Sequence, residues 1–176
     1  CARGRGRRHR VDQWLLRQPR GLPLPHERAQ RPSRPLELYR HYLCRAGQNL
    51  DTGCKVVLNA PETSATVETK GISKSGGIQT FRSSIVATPK AEGSKATVSC
   101  QSLMLDDQSR SDTIPAMDIR AKNVDIGHEA TIGRIGDDKV FYLMSRGISE
   151  EEARTMIVNG FANPVSKELP LEYASR

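Results

Sequence analysis

Three side chains between residues 98 and 136 have the chemistry to bind a metal ion: Cys100, His128 and Glu129. Together they offer soft sulfur, borderline nitrogen and hard oxygen, a mixture that suits iron or zinc better than calcium or magnesium. A cysteine nucleophile would instead need the Cys100 thiolate paired with the His128 imidazole, and no motif supports such an enzyme. The chain has no Gly-rich phosphate loop, Walker motif or HExxH motif, so nucleotide sites and common metalloprotease sites lack support.

The three candidate residues lie in segments with the composition of β-strands, in which alternate side chains face opposite sides. Cys100 has the same parity as Val98, which places it on the inward, apolar face. His128 has the same parity as Ile126, whereas Glu129 points to the other side. A cysteine or histidine on an apolar face more often fills the core than binds a ligand, so a structural role for Cys100 and His128 is the alternative.

Cysteine spacing and hydropathy exclude several classes of protein. The four cysteines lie 43, 10 and 46 positions apart, which matches neither a CxxC zinc site nor a dense disulfide framework. No apolar run approaches the roughly 18 residues that a membrane span needs. The start of the chain has no signal-sequence pattern. We therefore expect a soluble, cytoplasmic protein with free thiols and no membrane association.

Residues 1–45 differ in composition from the rest of the chain. The first fifty residues contain 12 Arg, no Lys and three acidic residues, so this segment accounts for the whole of the net charge of +7. We interpret residues 1–45 as an Arg/Pro-rich leader that is non-native or disordered. Such an arm could bind nucleic-acid phosphates, but the same composition arises when GC-rich DNA is translated out of frame. We do not expect a nucleic-acid partner.

From about Gln48 onwards the composition is that of an all-β protein. Short segments rich in Val, Ile and Thr recur about every 8 to 15 residues, with Gly, Asn, Asp, Ser or Pro between them. They are "CKVVLNA", "ATVETKG", "SSIVATP", "KATVSCQSLML", "TIPAMDIRA" and "NVDIGHEATIGRI". Few of them are joined by two-residue hairpin turns, so the pattern favours a sandwich or a β-solenoid without choosing between them.

After Ile135 the periodicity changes to that of helices. "GDDKVFYLMSRG" and "ISEEEARTMIVNGF" predict two short helices, the second opened by a capping box of Ser149 and Glu152 and ended by Gly160. Four apolar side chains are expected to pack these helices together: Phe141, Met144, Met156 and Ile157. "ELPLEYA" at 168–174 predicts the start of a third helix.

The chain contains six motifs that, in this order, resemble the C-terminal half of the SufB branch of the SufB/SufD family: "KGISKSGG", "SRSDTIP", "GHEATIGRIG", "FYLMSRGISEEEA", "MIVNGF" and "KELPLEYA". Members of this family are scaffold proteins of iron–sulfur cluster assembly. The resemblance covers about residues 46–174. It implies a mainly β fold, with part of a right-handed parallel β-helix at 46–135 and a small C-terminal helical domain, here truncated, at 136–176.

The resemblance also implies a site. In the family, the cysteine of "SCQSL" and the acid of "HEAT" lie where the nascent cluster is thought to form, and they correspond to Cys100 and Glu129, with His128 as a neighbouring candidate. A thiolate binds iron strongly, whereas a carboxylate is a weaker and more exchangeable ligand, which suits a scaffold that must release its cluster.

The partners implied by the resemblance are a SufC-like ATPase and a SufD-like paralogue. Because ATP hydrolysis belongs to the ATPase, the chain itself is expected to be a scaffold subunit and not an enzyme. Its cargo would be a transient, nascent iron–sulfur cluster, and the resemblance permits a flavin. Arg146 and Glu150 are the candidate contacts for the ATPase.

The chain departs from the family pattern at both ends. The N-terminal domain and the first part of the β-helix, including the region implicated in sulfur entry, are replaced by the Arg-rich leader, and the closing helix is missing. Cys44 and Cys54 match no family role and are left unassigned. Two alternatives to a scaffold therefore stay open. One is a truncated, non-functional β-solenoid that exposes core residues and unpaired strand edges, and the other is a chain that binds nucleic acid through its Arg-rich leader.

Overall fold

Strands alternate with short turns along most of the chain, and two helices follow them. The computed structural model describes residues 9–15, 26–29 and 35–166, with side chains from 35 to 162. The elements of these residues are β1 (His9–Leu15), β2 (His26–Ala29), β3 (Leu36–Cys44), β4 (Asn49–Leu58), β5 (Ser64–Ser73), β6 (Ile78–Ala87), β7 (Lys95–Met104), β8 (Arg110–Ile119), β9 (Asp125–Arg134), α1 (Asp137–Met144) and α2 (Glu150–Ser166). The chain divides into two compact units, residues 1–132 and 133–176.

The odd and even strands form two separate parallel sheets. One sheet has the order β1-β3-β5-β7-β9 and the other β2-β4-β6-β8. Each turn of the chain therefore adds one strand to each sheet, which is the construction of a parallel β-solenoid. The predicted parallel β-helix followed by helices is confirmed, and the sandwich alternative is not what the chain adopts.

Alternating apolar residues build the core enclosed by these coils, which we call the lumen. Leu38, Val67 and Val98 occupy matching register positions in β3, β5 and β7, and each is only 1% exposed. Branched side chains pack well on such a pleated surface. Burial of each contributes about 1.5–3 kcal/mol relative to an exposed position, so the stacked apolar row fixes the register of successive coils.

One corner of the coils depends on left-handed backbone. Glu62, Gly93 and Asn123 each lie two residues before an odd-numbered strand and have φ of 53°, 70° and 52°. The Glu62 N–H donates to the carbonyl of Glu92 at 2.9 Å, and the Gly93 N–H donates to that of Asn123 at 3.1 Å. The corners thus replace hairpin turns and stack on one another.

The last coil leaves part of its inner face open. Met117 and Ile119 of β8 are 44% and 46% exposed, although their register partners Ile85 and Ala87 in β6 are buried. Ile132 of β9 is 44% exposed. β8 and β9 are the terminal strands of their sheets in the described part of the chain, so these apolar residues have no further coil over them there.

Pro115 lies on the free edge of β8. The N–H groups of Arg110 and Arg120 donate across to β6, to the carbonyls of Gly77 and Ala87. Alternate N–H groups of a strand point to opposite sides, so the odd-numbered positions of β8 face the free edge. Proline has no N–H, and it is tolerated in a strand where that group would face outward.

The solenoid includes residues that the composition places in the leader. Residues 36–44 form β3, in which Leu36, Leu38, Arg40, Tyr42 and Cys44 alternate as buried residues. Arg40 at the centre of this row interrupts the alternation of apolar residues, so the composition of the segment does not indicate a strand. The backbones of β1 and β2 pair in parallel with β3 and β4. The rest of residues 1–34 lies outside the described residues, as do positions 168–174 of the third predicted helix.

The two predicted helices are present, but their packing differs from the prediction. The capping box is confirmed, since the Glu152 N–H donates to the Ser149 hydroxyl and the Ser149 N–H donates to the Glu152 carboxylate. The prediction that Gly160 ends the second helix is wrong, because α2 continues to Ser166. Glycine weakens a helix interior by about 1 kcal/mol but does not terminate it.

The predicted apolar contact between the helices is wrong for three of its four residues, whereas the fourth, Ile157, is half-buried. Phe141 is 73% exposed, and Met144 and Met156 are about half exposed, whereas Val140 and Ala153 are buried. A small residue such as Ala153 lets helices approach closely, which leaves the larger side chains outside.

No helix in the described part of the chain is long and apolar enough to cross a bilayer.

Candidate functional site

The structure brings Cys100 and His128 together at the open end of the lumen. β7 and β9 are neighbours in one sheet, and the Asp125 N–H donates to the Ser94 carbonyl at 3.0 Å where they start to pair. Cys100 is 3% exposed and His128 is half-buried. The Cys100 Sγ lies 3.6 Å from the His128 Nε2, so the inward parity expected for both side chains is observed.

Both members of this pair are neutral at neutral pH. Burial raises the pKa of the Cys100 thiol, and a hydrogen bond with Thr69 opposes part of that rise. Burial lowers the pKa of the His128 imidazole. The charged form of each group is disfavoured because it would lose water contacts. The pair is thus a thiol beside a neutral imidazole and not a thiolate–imidazolium nucleophile.

Glu129 does not join this pair. It follows His128 on β9, alternates to the outer side of the strand and is exposed. Among the described residues, no three His, Cys, Asp or Glu side chains lie close enough to hold one metal ion. The parity that separates Glu129 from His128 in the sequence therefore also separates them in the structure.

The other two described cysteines are core residues. Cys44 is fully buried, and its thiol donates to the carbonyls of Ile78 and Gln48 at 3.2 and 3.4 Å. Burial raises the pKa of Cys54 to about 12, with Arg40 opposing the rise. Both are free thiols that stay protonated at neutral pH, as Cys100 does. What sets Cys100 apart is its contact with the His128 imidazole.

Polar residues that the sequence pattern did not single out surround Cys100 inside the lumen. A small cavity beside it is lined in part by Tyr42, Thr52, Thr69, Gln79 and Thr113. Deeper in the lumen, Arg40 is 1% exposed and its Nη1 donates to the Gly53 carbonyl at 2.9 Å. In the sequence, these residues could have been found by their parity, which is that of the inward-facing positions. Polar residues at such positions look like interruptions of the strand pattern, so they did not stand out.

The two candidate contacts for an ATPase lie on the surface of the helical unit. The Arg146 guanidinium stacks over the Tyr142 ring at 5.1 Å and donates to its hydroxyl at 2.9 Å. Glu150 begins α2 and accepts a hydrogen bond from Arg154 at 2.9 Å. Both side chains are exposed, and their role in docking stays a prediction.

Comparison with known proteins gives one consistent result. The model of the family described as SUF system FeS cluster assembly, SufBD core domain, matches residues 26–161. This match includes residues 26–45, which the composition assigns to the leader. It confirms the resemblance to the SufB/SufD family that the six motifs indicate.

Relatives of this chain carry the same family description. The iron–sulfur cluster assembly protein SufB of Bacillus subtilis is 48% identical over 132 residues, which is 75% of this chain and 28% of that protein. An iron–sulfur cluster assembly SufBD family protein of Staphylococcus saprophyticus is 47% identical over 128 residues, covering 73% and 28%. One of Mycobacterium bovis is 45% identical over 127 residues, covering 72% and 15%.

The chain therefore spans less than a third of the length of these relatives. Within that span, the family match extends from β2 into α2 and contains Cys100, His128 and Glu129. The chain belongs to the SufBD core-domain family of iron–sulfur cluster assembly.

Proposed function

We propose that this chain is part of a scaffold on which a nascent iron–sulfur cluster is assembled at Cys100. The observation that carries the proposal is the 3.6 Å contact between the Cys100 Sγ and the His128 Nε2 at the open end of the lumen. Family membership supports it, since the similar proteins are named for iron–sulfur cluster assembly.

The neutral state of the pair suits metal capture. An incoming iron ion displaces the thiol proton of Cys100, because only the thiolate is a ligand, and the neutral imidazole of His128 offers a lone pair without first losing a proton. Thiolate and imidazole are both established ligands of iron–sulfur centres. Cluster formation at this site is therefore coupled to release of one proton per thiol.

Glu129 acts from the outer side of the same strand. Its carboxylate is exposed and adjoins His128 in sequence, so it can bind iron that arrives from outside the coil. Oxygen ligands hold iron less tightly than thiolate does. We assign Glu129 the role of an exchangeable ligand during delivery or release, and no described residue is assigned to a flavin.

A SufD-like paralogue is the proposed partner at the open coil. Met117, Ile119 and Ile132 expose apolar surface on the last coil, and Cys100 and His128 lie in that same coil end. Exposed apolar residues next to a candidate site are typical of a protein–protein interface. A partner seated there would exclude water from the thiol and shield a growing cluster.

A SufC-like ATPase is the proposed partner of the helical unit. Phe141 and Met156 are exposed there although they are large and apolar. Arg146 and Glu150 supply exposed charges on the same helical unit. ATP hydrolysis would then belong to the partner, and this chain would act as a scaffold without catalysis of its own.

Replacement of the two proposed ligands tests the site. In the chain co-expressed with its ATPase and paralogue, we expect Cys100→Ser and Glu129→Ala to abolish bound iron and acid-labile sulfide while the complex still co-purifies. Cys54→Ser and Asp125→Ala are matched controls, because they alter a second buried thiol and a second exposed acid of β9. Normal iron and sulfide in both Cys100→Ser and Glu129→Ala would refute the proposal.

A further inference from the structure

The Gln79 side chain crosses the lumen beside the candidate site. It starts from β6, and its Nε2 donates to the Ser102 hydroxyl at 2.8 Å and to the Ser111 hydroxyl at 3.0 Å. Its Oε1 accepts a hydrogen bond from the Ser73 hydroxyl at 3.3 Å. The residue is only 6% exposed. One amide therefore links β5, β6, β7 and β8 inside the solenoid.

The sequence leaves space for this amide at Gly71. A Cβ atom at position 71 would overlap the Gln79 amide group. Gly71 lies opposite Ser102 in the register of β5 and β7, and the neighbouring inward pair is Thr69 opposite Cys100. The Gln79 amide thus occupies the lumen position directly next to Cys100, and both side chains line the same cavity.

Backbone pairing alone does not fix the last coil across the lumen. The ladder hydrogen bonds hold β7 within its own sheet, whereas Ser102 and Ser111 belong to opposite sheets. Gln79 joins these two serines through one side chain, and Ser102 is two residues from Cys100 on the same face of β7. A buried, fully paired amide is a rigid link, because any movement would leave polar atoms without partners.

We propose that Gln79 is a positioning residue that holds Cys100 against His128, with Gly71 providing the space it needs. This inference rests on the proposed function in taking Cys100 as the reactive group. Gln79 touches neither iron nor sulfide in this role, and it acts through Ser102 and the strand that carries the thiol.

The experiment measures how strongly His128 influences the Cys100 thiol. In the full chain, the rate of Cys100 alkylation by iodoacetamide is followed by mass spectrometry from pH 6 to 10, with and without His128→Ala. We expect His128→Ala to change the rate several-fold in the otherwise unaltered chain. We expect no further effect of His128→Ala in a Gln79→Ala background, because the thiol is no longer held at the imidazole.

Two more variants separate positioning from general stability. Gly71→Ala displaces the Gln79 amide without removing it, so it should also abolish the effect of His128→Ala on the alkylation rate. Gly71→Ala combined with Gln79→Ala should give the same alkylation rates as Gln79→Ala alone. Gln79→Glu keeps the length and can accept from the serine hydroxyls, so it should retain the His128 effect. If Gln79→Ala does not fold, the comparison of the His128 effect in Gly71→Ala with that in Gln79→Glu tests the positioning role instead.

Ser94→Ala is the matched control. Ser94 is fully buried and makes three hydrogen bonds, to the N–H and hydroxyl of Thr63 and to the Ala60 carbonyl, at a corner that does not line the cavity. It should lose stability but keep the full His128 effect.

Two outcomes overturn the inference: no influence of His128 in the unaltered chain, or an undiminished influence in both Gln79→Ala and Gly71→Ala. The alkylation readout contains no metal, so it is independent of cluster assembly. Loss of the His128 effect in Gln79→Ala, with iron and sulfide retained in both Cys100→Ser and Glu129→Ala, would support the positioning role and refute the proposed function.

Discussion

At the scale of single residues, the chemistry of the candidate site depends on the protonation of one buried thiol. Cys100 lies next to an imidazole, yet burial raises the pKa of the thiol and lowers that of His128. Ion-pair formation would require the opposite changes. The site is therefore poor as a nucleophile and suitable for a metal ion that displaces the proton itself.

The pH dependence of alkylation tests this assignment. Because only the thiolate reacts, the raised pKa of Cys100 predicts a rate that is low at pH 7 and rises steadily above pH 9. We expect the rate at pH 7.5 to lie below that of a free cysteine, measured with iodoacetamide and mass spectrometry of the Cys100 peptide. Cys54, with a pKa of about 12, should react more slowly still. A rate that is already at its plateau below pH 7 would instead indicate a thiolate–imidazolium pair.

At the scale of elements, the corners of the coils set the position of each strand. Gly77 ends one such corner, and a Cβ atom there would lie 2.9 Å from the carbonyl carbon of Cys44 in the coil before it. Contacts this short between a side chain and backbone require one coil to move away from the other. The glycine therefore determines how closely the turn between β5 and β6 can stack on the end of β3 in the preceding coil.

Substitution of Gly77 tests the tightness of this corner. We expect Gly77→Ala to lower the free energy of unfolding by about 1–3 kcal/mol, as overpacking in a close-packed interior does. Gly127→Ala is the control, because a Cβ atom at Gly127 meets nothing within 4 Å. Urea denaturation followed by circular dichroism measures both variants, and equal stabilities would contradict the predicted clash.

Much of this architecture follows from the sequence, and the exceptions have physical causes. The parity of Cys100, His128 and Glu129 was predictable because the strand period of two fixes it. β3 was missed because Arg40 interrupts its row of apolar residues and because the strand directly follows a Pro- and Arg-rich segment. Gln79 was missed because its role depends on serines of three other strands, which only the folded chain brings together.

At the scale of the whole molecule, the open end of the solenoid creates both an interface and a risk. Among the described residues, β8 and β9 are the terminal strands of their sheets, and an unpaired strand edge is a template for pairing with another chain. Pro115 removes one N–H from the free edge of β8, while β9 has no proline between Asp125 and Arg134. Strand addition is therefore disfavoured on one sheet and left available on the other.

Removal of this proline tests its protective role. We expect Pro115→Val to increase self-association of the chain, seen as a larger sedimentation coefficient that grows with concentration. Ala116→Val adds a similar side chain to the neighbouring exposed position without supplying a new N–H. Identical sedimentation of the two variants would show that Pro115 does not prevent self-association through the free edge of β8.

Charge reversal on the helical unit tests the proposed ATPase contact. We expect Arg146→Glu together with Glu150→Lys to reduce co-purification of a SufC-like ATPase, because both charges are exposed on the helical unit that also exposes Phe141 and Met156. Lys139→Glu together with Glu151→Lys is the matched control, because it also reverses two exposed charges of the helical unit and leaves the net charge unchanged. Undiminished co-purification would count against docking through Arg146 and Glu150.

The spacing of the coils limits how such a chain can change length over evolutionary time. Strands of the first sheet begin at Leu36, Ser64, Lys95 and Asp125, at intervals of 28, 31 and 30 residues. Because each coil contacts only its neighbours, duplication or loss of one such unit preserves the stacking elsewhere. A unit gained before β5 would leave Cys100 beside His128. The same unit gained between β7 and β9 would separate them by one strand spacing of about 4.8 Å. We therefore expect a duplicated coil to preserve the site when it is inserted before β5 and to disrupt the site when it is inserted between β7 and β9.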